Sequence, residues 1–424
     1  MRTLLLRFPL VLLLCWGLSF SGQCATLLIH MDHKQSNHLK AYGIAYWILG
    51  QQIEVDWLLN YRGGSFAVKH YQGIENELII RGVNYEVISD GQYNQLLEEL
   101  ASPSSNTDVM KLEKQPKVAV YSPKSKQPWD DAVTLVLTYA EIPYDVVFDD
   151  ELMYDELPQY DWLHLHHEDF TGQYGKFYAN YHHQAWYMAQ QLEYEESARK
   201  HGFTKVSDLK LAVVNKIRNF VTGGGFLFAM CSATDTYDIA LSAAGVDICE
   251  RMYDGDPADP NAQSKLQFDP CFAFHNFRLE RDPLKYEYSN IDMQPNERGL
   301  REQNDYFTLF EFSAKWDPIP TMLTQNHEQL IKGFMGQTTS YRKGLIKPEV
   351  VVLGENKDVG EGKYLHGEFG KGFWTFYGGH DPEDYQHLVG EEPTDLNLHP
   401  NSPGYRLILN NILFPAAKKK KQKT

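Results

Sequence analysis

The sequence predicts an α/β fold built on a doubly wound, mainly parallel sheet. Short apolar runs of strand length recur along the chain, among them residues 27–31, 117–121, 226–230 and 372–377. Stretches with helical spacing of apolar residues lie between them. Strands alternating with helices in this way are the signature of βαβ units.

The elements follow in order. Residues 27–31 read as a buried strand and 36–49 as a helix, with Leu39, Tyr42, Gly43, Tyr46 and Trp47 near helical spacing. A strand at 54–60 leads into the glycine loop Arg62-Gly63-Gly64-Ser65. A helix at 71–78 and a strand at 84–88 come next, then a polar linker at 102–115. Strands at 117–121, 144–148 and 161–167 flank a helix at 129–140. The helix at 209–222 stops at Gly223-Gly224-Gly225, and the strand 226–230 runs directly into a helix at 234–244. A strand at 372–377 and a helix at 403–413 complete the pattern.

Residues 26–115 are thus expected to form a first set of α/β units, and 116–415 a larger α/β domain. Residues 250–345, rich in Asp, Pro, Asn and aromatics, read as an irregular insertion within it. Residues 416–424 read as a basic disordered tail. A length of 424 residues suits one large or two ordinary domains, and 43% apolar with 13% aromatic residues supplies a core. A formal charge of −16 excludes nucleic acid as the main partner, because phosphate binding needs a basic surface.

Residues 1–25 have the layout of a cleavable signal peptide. Arg2 and Arg7 precede an apolar run over 8–18, and small residues follow it. No later stretch is long and apolar enough for a transmembrane helix, so the protein is expected to be periplasmic or secreted. Cys24 offers a lipid-attachment alternative, although Gln23 stands where a small residue normally precedes a lipidated Cys. Cys249 and Cys271 flank an Asp/Pro-rich loop and read either as a disulfide formed after export or as two buried thiols.

In open α/β sheets ligands bind beyond the C-terminal ends of the strands. Cys231 ends one strand and opens a helix, with Ala229 and Ala233 two residues either side, which is the layout of a nucleophile elbow. The helix N-terminus would favour its thiolate, and backbone N–H groups at Ser232 would hold an oxyanion. His380 follows a second strand at Gly378-Gly379 and would serve as base, oriented by Asp381 or Glu383. His166, His167, Glu168 and Asp169 end a third strand, where they would line the pocket for a polar substrate or bind a divalent metal, a metal-dependent enzyme then using His166, Glu168 and His380; the first use is preferred, and no metal or cofactor is expected. Arg62, Gly63 and Gly64 would grip a carboxylate or phosphate. The run Asp254 to Asp259 lacks the spacing of an EF-hand loop.

The segments VTGGGFLFAMCSATD and GFWTFYGGHDPED resemble the two halves of a class I glutamine amidotransferase-like domain, over roughly residues 117–250 and 365–413. The resemblance implies a flavodoxin-like sheet, with Cys231 as nucleophile and His380 as base. It differs in that Asp381 and Pro382 separate His380 from Glu383, and Ala229 and Ala233 stand where glycines are usual. The segments NHLKAYGIAYW, VDWLLNYRGGSF and NSPGYRLILNNILFPA are similar to exported bacterial proteins grouped as asparagine synthetase B. That grouping implies glutamine-dependent asparagine synthesis. Such chemistry needs Cys directly after the initiator Met and a Ser-Gly-Gly-x-Asp-Ser loop; Arg2 stands at the first, and the second is missing. The expected function is therefore a Cys–His hydrolase or acyl-transfer enzyme on a small polar or sugar-like substrate. The rival expectation is a non-catalytic ligand-binding protein using the same pocket.

Overall fold

A computed structural model describes residues 25–125, 128–293 and 295–418. The proposed signal peptide, Cys24 included, and residues 419–424 of the basic tail lie outside the described residues.

Two sheets organise the described residues. The first joins β1 (Ala25–Ile29), β2 (Val55–Leu59), β3 (Ser65–Lys69), β4 (Glu86–Ser89) and β5 (Asp108–Leu112) in the order β4-β1-β3-β2-β5, and every pairing is antiparallel. The segment expected to be a linker thus supplies an edge strand, β5.

The second sheet contains β6 (Val118–Tyr121), β7 (Asp145–Val147), β8 (Trp162–Leu165), β9 (Phe226–Met230), β10 (Tyr306–Leu309), β11 (Leu330–Lys332), β12 (Tyr341–Arg342), β13 (Val351–Asn356), β14 (Glu361–Phe369) and β15 (Gly372–Tyr377). Its order is β11-β10-β13-β14-β15-β9-β8-β6-β7, with β12 paired to β14. The run β15-β9-β8-β6-β7 is parallel, and the remaining pairings are antiparallel.

The expectation of a doubly wound, mainly parallel, flavodoxin-like sheet is therefore corrected. One sheet is wholly antiparallel and the other is mixed. The cause is hairpin chemistry. β14 returns as β15 through Gly370-Lys371, with Gly370 at φ 64°, and β2 returns as β3 through Arg62, Gly63 and Gly64, all at positive φ. A chain that turns back within a few residues must pair antiparallel, whereas a parallel neighbour needs a long crossover.

Alternate residues of β1, β2 and β3 face opposite sides. Leu28, Leu58 and Ala67 pack under the helix Asp90–Ala101, while Leu27, Trp57 and Phe66 face the helix His38–Gly50. That second core also takes in Val120 and Phe228 of the mixed sheet and the helices Ala132–Tyr139 and Pro403–Leu413. The two sheets share it across a layer of helices. The opposite face of the mixed sheet, with Leu163, Leu227 and Phe376, is covered by the helices Val206–Gly223 and Ser232–Ser242.

Residues 250–345, expected as an insertion with some irregular β structure, are part of the sheet itself. They contribute β10, β11 and β12 to the mixed sheet. Cys249 and Cys271 are separate buried thiols: Cys249 Sγ donates to the Thr171 carbonyl (3.2 Å) and Cys271 Sγ to that of Asp238 (3.3 Å). The expected tail begins later than residue 416, since Ala417 bridges to Leu112.

Candidate functional site

The parallel run brings the C-terminal ends of β6, β8, β9 and β15 to one rim. Cys231 follows β9 and precedes the helix Ser232–Ser242, with φ 51° and ψ −142°. An L side chain rarely adopts that backbone, and holding it costs on the order of 1–3 kcal/mol. Neighbouring bonds fix it. The Cys231 amide donates to the Gly379 carbonyl (3.1 Å), and the Cys231 carbonyl accepts from the Thr234 hydroxyl (2.7 Å).

The thiol is 2% exposed. Burial pushes it up to about 11, against the opposing pull of the Thr338, Gln337 and Ser232 amides that face the sulfur. A neutral thiol at neutral pH follows.

His380 lies on the neighbouring strand end, as the sequence predicts, but no hydrogen bond joins it to Cys231. Both His380 ring nitrogens are buried without a hydrogen-bond partner among the described residues. Its expected orienting acids are engaged elsewhere: Glu383 pairs with His399 (3.1 Å), and Asp381 accepts from the Glu383 amide (2.8 Å). A Cys–His–acid chain is not assembled.

The rim instead gathers histidines. One ring nitrogen from each of His166, His167 and His380 lies within 4.8 Å of the others. The His166 and His380 ring centroids are 4.4 Å apart. His167 Nδ1 and Nε2 also have no partner. Leaving a buried polar group unsatisfied costs about 1–3 kcal/mol, so a cluster of such atoms demands an explanation.

Carboxylates stand behind the rings. Asp131 caps the helix Ala132–Tyr139 through the Val133 (2.7 Å) and Thr134 (3.0 Å) amides, and it reaches His164 Nε2 and His166 Nδ1, each at 3.1 Å. Burial works against its ionisation, but the two imidazoles outweigh burial and hold its carboxyl well below the usual range. His387 stacks on His380 at 4.3 Å. Burial disfavours a charge on His387, yet Asp130 (2.7 Å) and Asp384 (3.1 Å) lift it to about 9. Burial, then His166 and the cationic His387, keep His380 neutral well below the usual histidine range.

Glu168 is buried and lifted to about 7 mainly by desolvation, and its Oε2 accepts from the His166 amide (3.0 Å). His167 is partly exposed and, with Trp129, Glu168, Phe177 and Tyr194, lines a cleft beside the rim. Ser232 is buried at the start of its helix, and its hydroxyl has no partner.

Arg62, Gly63 and Gly64 belong elsewhere. Arg62 pairs with Asp32 (2.7 Å) and His30 (2.8 Å) beside the antiparallel sheet, and the Gly63 carbonyl accepts from Arg406 (2.6 Å). The loop is a hairpin connection held by its own neighbours, not a wall of the rim.

No protein-family model matches the chain, and no curated protein matches it in sequence. Among solved structures, the cytoplasmic protein STM3548 from Salmonella typhimurium is similar over 72% of this chain and 100% of its own, at 11% identity and TM-score 0.34. The cytoplasmic protein STM1381 from Salmonella typhimurium LT2 is similar over 71% of this chain and 100% of its own, at 12% identity and TM-score 0.34. The GH42 β-galactosidase Gan42B is similar over 63% of this chain and 28% of its own, at 12% identity and TM-score 0.25. Likenesses this weak support no argument about activity.

Asp130, Asp131, His387 and the amides of Gln337 and Thr338 escape the sequence reading. An Asp directly before a helical run, after a strand that ends at the rim, is the signal for Asp131. Gln337 and Thr338 have none, because their place depends on a long-range crossing. There a Cβ on Gly336 would lie 2.8 Å from the His380 backbone nitrogen, and one on Gly378 would lie 2.5 Å from the Thr339 carbonyl oxygen.

Proposed function

We propose that the protein is a hydrolytic or acyl-transfer enzyme that acts on a small polar or sugar-like substrate at the rim of the mixed sheet. The observation that carries this reading is the group of three histidines with unpartnered ring nitrogens beside the strained Cys231 elbow. Strain and unsatisfied polar groups persist where function requires them. The amides of Ser232, Gln337 and Thr338 supply donors suited to a developing oxyanion. The resemblance of the Cys231 and His380 segments to amidotransferase-like domains supports the same reaction class. The signal-like N-terminus supports action outside the cytoplasm.

The neutral thiol and its lack of a bond to His380 favour water as the nucleophile. The second reading makes Cys231 the nucleophile with His380 as base. Its support is the left-handed backbone at residue 231, together with the tendency of catalytic hydrogen bonds to tighten only when substrate is present.

Amide, ester and glycan-derived substrates offered to the wild type, His380→Ala and Cys231→Ala separate these readings. Loss of a group that handles the reacting proton lowers kcat/KM by about 10²–10⁴-fold. We expect that loss in His380→Ala and near-wild-type turnover in Cys231→Ala. The reverse pattern, with fast alkylation of residue 231 by iodoacetamide at neutral pH, favours the thiol. Binding of a glycan without turnover of any substrate would sink the enzymatic reading in favour of a ligand-binding protein.

A further inference from the structure

We propose that His166, His167 and His380 form a three-histidine site for a divalent transition-metal ion of the zinc class, with Asp131 as the carboxylate that orients His166. The site deepens the hydrolase reading, with His380 then a ligand of the ion rather than the carrier of the reacting proton, and rests on that reading for its catalytic meaning, but binding of the ion is measured without turnover.

Three imidazole nitrogens, one per residue, lie within 4.8 Å of one another. In a tetrahedral zinc site, nitrogens about 2.0–2.1 Å from the ion are roughly 3.4 Å apart. Small rotations of the rings therefore close the set around one ion. His166 is 0% exposed and His380 7%, and neither His380 nitrogen nor His166 Nε2 has a hydrogen-bond partner among the described residues.

The surroundings fit as well. Metal-bound imidazoles commonly have a carboxylate on their second nitrogen, which fixes tautomer and direction. Asp131, 3.1 Å from His166 Nδ1, stands in that place and leaves Nε2 for the ion. Asp131 is itself anchored by the helix it caps, so the orientation is rigid. An all-imidazole donor set selects zinc, cobalt, nickel or copper over calcium and magnesium. Three protein ligands with a fourth position open is the arrangement of catalytic zinc, and His167 borders a cleft of about 10 Å³, room for about one water.

A rival cluster does not compete. Asp247, Cys249 and Asp254 also lie close together, but the Lys205 ammonium already pairs with Asp247 (2.6 Å) and Asp254 (2.9 Å).

The test uses the full chain stripped with a chelator and titrated with Zn²⁺ or Co²⁺ alone, by calorimetry and by visible absorption of the cobalt form. We expect one ion per chain and the absorption of four-coordinate cobalt. His380→Ala and His167→Ala should each weaken binding by 100-fold or more. Asp131→Asn should weaken it about 10–100-fold with the stoichiometry kept. Cys249→Ser should bind as the wild type does. His167 is partly exposed, so its variant keeps the test decisive if His380→Ala fails to fold. A wild type that takes up no ion, or His167→Ala and His380→Ala variants that bind as tightly as the wild type, would overturn the site. Turnover that survives chelation would leave the hydrolase reading standing while removing the metal from it; a loaded protein that turns nothing over would do the opposite.

Discussion

Asp235 sits one turn into the helix that Cys231 opens, fully buried, and its Oδ1 accepts from the Thr338 hydroxyl (2.9 Å). Burial lifts its carboxyl to about 7, outweighing that hydrogen bond. A carboxyl whose folded value is raised binds more protons in the native state, so its contribution is present below about pH 4 and lost as pH rises through 7. The shift corresponds to roughly 4 kcal/mol. Urea unfolding should therefore show stability falling between pH 4 and 7, with a distinctly flatter profile in Asp235→Asn; parallel profiles would refute the assignment. At this scale Cys231 and His380 were legible because each directly ends an apolar run. The partner expected for His380 was not. Glu383 is near in sequence, yet the chain turns it towards His399, while the residues that surround His380 come from positions 166, 167 and 387.

The segment from Phe334 to Ser340 is the element that shapes the site, because it carries the amides facing the Cys231 sulfur. It is tied down from below by Lys363, whose buried ammonium donates to the carbonyls of Phe334 and Thr339 (2.7 Å for the latter). It crosses the rim so closely that a Cβ on Gly379, at φ 93°, would meet Phe334 at 2.5 Å. Gly379→Ala should cost about 2–4 kcal/mol by urea unfolding, from backbone strain and overpacking together. A loss under 1 kcal/mol would show that the crossing is looser than described. Strands and helices of the parallel run were readable in sequence, since each is a compact apolar run with a clear stop. β1, β2 and β4 of the antiparallel sheet were readable for the same reason, but β3, β5 and the antiparallel strands β10 to β14 were not. In β14 the residues from Glu361 to Gly367 are all buried, so no polar alternation marks a sheet strand. Buried charges reinforce the disguise: Glu361 in β14 is buried only because Arg298 neutralises it at 2.7 Å, together with Asp305. Arg298→Met should cost about 3–5 kcal/mol in the same measurement by stranding both carboxylates.

Across the whole molecule, the core between the sheets belongs to both. The buried Arg406 of the helix Pro403–Leu413 donates to the carbonyls of Met31 (2.9 Å) and Gly63 (2.6 Å), and so holds the last helix against the first strand and hairpin. Residues 25–112 and the parallel strands should therefore open as one cooperative unit, and hydrogen exchange should assign their slowest amides the same opening free energy. Two well-separated values would show independent domains. Polar residues cluster near residue 115 and mark a boundary there in sequence, but residues near the far end of the chain come back to it, a contact that no local pattern signals. The Ala416 carbonyl accepts from the Glu113 amide, and the Lys418 amide donates to the Lys111 carbonyl, each at 2.9 Å. This return shields part of the free flank of β5. A chain shortened to residue 413 would keep its helices yet present a bare row of peptide groups to its neighbours, and such rows recruit one another. Self-association on truncation, rather than unfolding, is the failure this architecture invites.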